Sequence, residues 1–103
     1  MKIYKIANAP SRLKDYAEIR TNFSDADFWI IRKGSVGTVG TPVKEFSPEH
    51  IGVKVTDTEV LLPDYLYYAI MNMHASGAFK VAAMGTTKLM HIRAEDIANI
   101  VLQ

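Results

Sequence analysis

The sequence predicts an α+β fold: a small, twisted, mostly antiparallel β-sheet or half-barrel with two helices, one short and N-terminal and one at about residues 63–76. Three stretches predict it. Ile51-Gly52-Val53-Lys54-Val55-Thr56 puts Ile51, Val53 and Val55 on one face and Gly52, Lys54 and Thr56 on the other, the two-residue period of a strand with one wet side. Phe28-Trp29-Ile30-Ile31-Arg32 is an aromatic and β-branched run, apolar without alternation, which suits a strand covered on both faces. Asp64 to His74 carries Leu66, Ile70 and Met73 as a stripe at helical spacing, with Tyr67, Met71 and His74 beside it.

The remaining elements follow in order. Ile3-Tyr4-Lys5-Ile6 suits a short strand. Asn8 or Ser11 can cap a helix with Pro10 in its first turn, and Leu13, Tyr16, Ala17 and Ile19 fall roughly on one helical face, so residues 11–20 are expected to be helical. Thr21 to Asp27 is polar and expected to be a loop. Gly34 and Gly37 suggest a turn with positive φ, returning as a strand over Thr38 to Val43. Pro42 cannot donate to a ladder, which makes that strand an edge or a bulge. Glu45 to Glu49 is a loop and Asp57-Thr58 a turn. Pro63 and Asp64 suit the start of the long helix, and Gly77 its end. Phe79 to Met84 and Leu89 to Ile92 are expected strands around a polar Gly85-Thr86-Thr87-Lys88 break. Arg93 to Asp96 is a single turn, and Ile97 to Leu102 a closing strand. The order is β-α-β-β-β-α-β-β-β.

The totals narrow the function classes. A chain of 103 residues has room for one core. With 49% hydrophobic and 22% charged residues, it can bury enough apolar surface to fold. The net charge of +1 is no argument for a polyanionic partner, so a nucleic-acid surface would have to come from clustering of the twelve Lys and Arg. Absence of cysteine excludes disulfides, thiolate metal sites and cysteine nucleophiles, and fits a reducing compartment. No apolar run approaches the ~20 residues of a membrane span, and a cytoplasmic protein is the default.

The motifs point away from catalysis. Gly34-Ser35-Val36-Gly37-Thr38-Val39-Gly40 invites a phosphate-loop reading, but there is no Gly-Lys-Ser/Thr ending, the spacing is not Gly-x-Gly-x-x-Gly, and a strand rather than a helix follows. The plainer reading is a hairpin whose glycines serve the turn. The sharper one adds Arg32, Lys33, Ser35 and Thr38, which could lie against a nucleic-acid backbone. From Asp64 to Glu95 no acidic residue intervenes, while Lys80, Lys88, Arg93, His74 and His91 all fall there. Within that basic stretch Thr86, Thr87 and Lys88 offer two hydroxyls and an ammonium to a phosphate or base; the plainer reading is a solvated loop. His50, His74 and His91 lack the close spacing of zinc ligands, and His74 suits the negative end of a helix. Ser35 is not in a Gly-x-Ser-x-Gly elbow. Asp25/Asp27 and Glu95/Asp96 read as a strand-leading loop and a turn or cap. Trp29 and the tyrosines Tyr65, Tyr67 and Tyr68 read as core and rim.

Four pieces in order resemble a target recognition domain of the type I restriction–modification DNA specificity subunits. They are Ile31-Arg32-Lys33-Gly34-Ser35-Val36-Gly37, Leu62-Pro63-Asp64-Tyr65-Leu66-Tyr67-Tyr68, Met84-Gly85-Thr86-Thr87-Lys88-Leu89 and Ala94-Glu95-Asp96-Ile97-Ala98-Asn99-Ile100. The resemblance covers roughly residues 22–103. Specificity subunits carry two such domains joined by long helices; here one domain is expected over residues 1–103, without a spacer helix, and residues 3–20 do not match the usual opening. The resemblance implies a compact module without catalysis, metal or cofactor. Its expected partner is double-stranded DNA, held by Arg32, Lys33, Ser35, Thr38, Lys80, Thr86, Thr87 and Lys88, with a homodimer doubling the contacts. The rival expectation is a protein-interaction module, phage- or mobile-element-encoded for example, that binds or mimics part of a methyltransferase or nuclease complex.

Overall fold

The computed structural model describes residues 11–85 and 89–102. It is an α+β fold with its strands in three antiparallel groups. The principal sheet has four strands in the order β2-β6-β3-β5: β2 is Ala17–Thr21, β3 Phe28–Ile30, β5 Pro42–Val43 and β6 Ile51–Val55. A three-stranded sheet runs β4-β8-β7, from Lys33–Gly34 through Met90–His91 to Met84–Gly85. The two-residue strands β1 (Ser11–Arg12) and β9 (Val101–Leu102) pair with each other. Among the described residues, three α-helices complete the fold: α1 (Pro63–Ala75), α2 (Ala78–Ala82) and α3 (Ala94–Ala98).

β6 sits between β2 and β3, and its alternation decides which side is the core. Ile51, Val53 and Val55 are buried, together with Phe28 and Ile30 from β3, Ala17 from β2, and Leu66 and Ile70 from α1. The opposite face of β6 was expected to be wet, but Gly52 is buried there. A Cβ on Gly52 would stand 2.6 Å from the Cβ of Phe23, so glycine is what lets the loop before β3 lie flat on the sheet. Phe23 also accepts a hydrogen bond at its carbonyl from the Trp29 indole N–H (2.8 Å). That pairing lets the indole be buried without an orphaned donor. The expected two-sided burial of Phe28-Trp29-Ile30 is what the fold shows.

The expected N-terminal helix over residues 11–20 is not formed. Only Leu13–Asp15 makes a 3₁₀ turn, and residues 17–21 are strand β2, paired across five residues with β6 from Ala17↔Val55 to Thr21↔Ile51. The stretch satisfies both periods. Ala17, Ile19 and Thr21 alternate with Glu18 and Arg20, and the ladder on β6 outweighs a short helix with no partner. The expected strand at residues 3–6 and the cap at Asn8 lie outside the described residues.

Other expectations are corrected toward the C-terminus. Gly77 ends α1 at φ +85°, and the chain then starts α2 where residues 79–84 were expected to be a strand. Alanines at 78 and 82 favour helix, and Phe79 reaches the core from its first turn. Arg93–Asp96 is not an isolated turn but the lead into α3, whose Ile97 is fully buried, so the closing strand shrinks to Val101–Leu102. Two short turns are built alike. Asp15 accepts a hydrogen bond from the Arg12 backbone N–H, and Asp96 from that of Arg93, both at 2.8 Å. Arg12 also donates from its guanidinium to the Asn99 carbonyl beyond α3 (2.9 Å), tying the two ends of the fold together.

Candidate nucleic-acid interface

The hairpin begins as a core strand and leaves the core at Ile31. Ile31 still pairs with the returning chain, donating to Thr41 O and accepting from Gly40 N, both at 2.9 Å. The next residues turn out of the principal sheet. Lys33 and Gly34 pair with His91 and Met90, and the Ile92 N–H donates to the Arg32 carbonyl. The returning strand is confined to Pro42–Val43 at the sheet edge, which is where proline can be accommodated. Between the two arms, Ser35 to Val39 closes a helix-like turn: its carbonyl at Ser35 accepts from both Thr38 N and Val39 N at 3.0 Å. Positive φ was expected at Gly34 and Gly37. Gly34 has it, at φ +157°, Gly37 does not, and the loop closes at Gly40, at φ +90°.

Two contacts hold the loop against the helices. Phe79 of α2 sits so close beneath Gly40 that a Cβ there would lie 2.5 Å from its ring. His74, in the last turn of α1, reaches the loop with Nε2 3.1 Å from the Gly37 carbonyl and 3.2 Å from Thr41 Oγ1. The Thr41 hydroxyl already donates to the Thr38 carbonyl (2.7 Å), so it accepts from His74, and Nε2 carries the proton. His74 therefore pins the loop, a role its place near a helix end did not announce. The partners are 33 and 37 residues distant in sequence, and no local pattern encodes them.

Each expected contact residue has a definite place. The Arg32 Nε donates to the Glu49 carbonyl (2.9 Å), which fixes the guanidinium beside the loop before β6. Lys33 is exposed, with its ammonium 4.0 Å from the Glu49 carboxylate. Two side chains so open to water hold each other weakly, and a phosphate can displace the carboxylate. Ser35 and Thr38 are exposed and hydrogen-bond to each other at 2.9 Å. One hydroxyl proton is spent between them, leaving one for an outside acceptor. Lys80 is exposed on α2, next to the Phe79 that lies under Gly40. Thr86, Thr87 and Lys88 lie outside the described residues.

The three-stranded sheet brings these pieces into one neighbourhood. Lys33, His91 and Met84 stand opposite one another across β4, β8 and β7, and Gly34, Met90 and Gly85 form the neighbouring row. Residues directly opposite share a face, so Lys33 and His91 project together on the outer side while Met90 packs toward the core. The strands that bracket residues 86–88 are β7 and β8 of this same sheet. The ionisable groups with clear shifts lie elsewhere. The hydrogen bond from Arg93 to Asp96, with the charge of Asp96 and Glu95, raises the Arg93 pKa. Partial burial opposes ionisation of Asp96, but the hydrogen bonds and charge of Arg93 outweigh it and hold the carboxyl below its usual range. Both belong to the turn that starts α3. Among the described residues no polar or charged residue is buried, and no cluster of three His, Asp or Glu side chains could hold a metal ion. Among them, too, no helix is long and apolar enough to cross a membrane.

No family model matches the sequence, and neither a curated protein nor a solved structure matches it. The likeness to a target recognition domain rests on the residues quoted for it.

Proposed function

We propose that this protein is a cytoplasmic, non-catalytic module that binds double-stranded DNA, with the Arg32–Thr38 hairpin loop and the Gly85–Leu89 segment on one contact surface. The observation that carries the reading is the β4-β8-β7 sheet, which joins the basic stem of the hairpin to both strands that flank residues 86–88. Lys33, Lys80 and Lys88 supply phosphate attraction, with His91 beside Lys33. The guanidinium of Arg32, held by Glu49, presents its remaining N–H groups, and the spare hydroxyl of the Ser35–Thr38 pair makes a close contact. Phosphate contacts of this kind orient a protein on the duplex; sequence readout needs base-edge contacts from the loop tips.

The test is selection of bound duplexes from a random pool, followed by affinity measurement on the enriched sequence. An enriched motif is the expected result. Replacing Lys33, Lys80 and Lys88 together by alanine is expected to weaken duplex binding by about tenfold or more at low salt. Absence of any duplex shift at low salt, with a protein partner still retained in a pull-down, would replace this reading with that of a protein-interaction module.

A further inference from the structure

The β4-β8-β7 sheet carries two large apolar side chains in water: Met84 is 48% exposed and Leu89 77%. Met84 and Lys33 both stand opposite His91, one on each side of β8, so the three share a face. Leu89 leads into β8 at the Met84 side of the sheet. Its carbonyl lies so close to Gly85, the residue after Met84, that a Cβ on Gly85 would overlap it. Single apolar residues on a surface are ordinary. These two fall together, at one end of a sheet that also presents an exposed lysine. The strand that leads out from Leu89 is held from beneath, because Met90 packs against the core and Ile92 is fully buried. A side chain on so rigid a support can be pressed between bases without giving way.

We infer, resting on the DNA-binding reading, that Leu89 with Met84 beside it is an apolar wedge that opens a base step of the bound duplex and bends it. The choice of occupant follows from the residues that share the sheet. Lys33 calls for an anionic partner, and the apolar pair for a dry surface within that partner. A duplex offers phosphates at its edge and, at an opened step, two apolar base faces. Leucine and methionine are both side chains that open such steps. An anionic bilayer also combines charge with an apolar interior, but affinity there grows with the apolar area inserted, and two side chains insert little. With a net charge of +1 the chain has few cations to hold a duplex, and an apolar contact supplies affinity that salt does not screen. Pyrimidine–purine steps unstack most easily, so the duplex taken should carry TpA or CpA at the wedge.

The experiment uses the full chain at low salt with end-labelled duplexes of about 20–30 base pairs, identical except for a central TpA or GpC step, and reads bending as energy transfer between the ends. The wild-type chain is expected to bind the TpA duplex severalfold more tightly and to draw its ends together. Leu89→Ala is expected to weaken binding about tenfold, to leave the ends apart and to keep the salt slope, with the far-ultraviolet circular dichroism unchanged. Leu89→Met is expected to restore the bend. Lys33→Ala is expected to lower the salt slope by about one and keep the bend. A bound duplex that stays straight would overturn the wedge and leave the DNA-binding reading standing, and so would a Leu89→Ala chain that bends the duplex fully. Failure to bind either duplex would remove both. Capture of the wild-type chain but not of Leu89→Ala by phosphatidylserine vesicles, with no duplex bent, would assign the apolar pair to a membrane surface instead.

Discussion

At the scale of single residues, two positions show backbone and charge working together. Gly40 adopts φ +90° with its α-carbon against the Phe79 ring. Gly40→Ala meets both a conformational penalty and an overlap, since the new Cβ falls 2.5 Å from Phe79 Cδ2. A loss of about 1–3 kcal/mol is expected in urea unfolding, larger than for Gly37→Ala, where nothing lies within 4 Å of the new Cβ. Asp96 is the other position. Its pKa is lowered in the fold, so its contribution is present above the carboxylate's unfolded value near 4 and is lost as pH falls through the lower folded value. Asp96→Asn is expected to cost about 0.5–1 kcal/mol at neutral pH, a modest figure because water screens the pair with Arg93. The variant should also flatten the fall in urea midpoint between neutral and acid pH. An unchanged acid branch would remove Asp96 from the account of acid stability.

At the scale of elements, the hairpin is two structures sharing one chain. Its base belongs to the principal sheet through β3 and β5, and its basic stem belongs to the small sheet through β4. What holds the loop between them is a helix end. His74→Ala removes the donor to Gly37 O and Thr41 Oγ1, and a loss of about 0.5–1.5 kcal/mol is expected. Hydrogen exchange locates it better than global unfolding does. The amides of Thr38, Val39 and Gly40 should exchange faster in the variant, while those of β6 keep their protection. Equal protection in the loop would mean that Phe79 alone positions it. The elements also show which sequence patterns were readable. The β6 alternation and the Leu66-Ile70-Met73 stripe each satisfy only one period, and each forms the element it predicts. Residues 11–20 satisfy two, and there pairing with β6 decided; over residues 79–84 the helix propensity of alanine prevailed.

At the scale of the molecule, a net charge of +1 sets what kind of nucleic-acid binding is physically available. The surface proposed for DNA holds few cations, so its salt dependence should be shallow. With three or four phosphates neutralised per chain, the logarithm of affinity should fall against that of salt with a slope of about −3. The lysine variants should reduce that slope by roughly one per contact removed. A steep slope would demand cations from beyond this patch.

The sequence by itself determined the α+β class, two central strands read as Phe28–Arg32 and Ile51–Thr56 and formed over Phe28–Ile30 and Ile51–Val55, the span of α1, the edge position of Pro42 and the stop at Gly77. Each is written in local terms: a period, a missing N–H, a residue free to take positive φ. Tertiary structure alone decided that residues 17–21 join a sheet, that Gly52 lies under Phe23, that Lys33 leaves its own hairpin to pair with His91, and that His74 holds the loop. Those outcomes depend on contacts between residues far apart in the chain, and their energies do not exist until the chain has closed on itself.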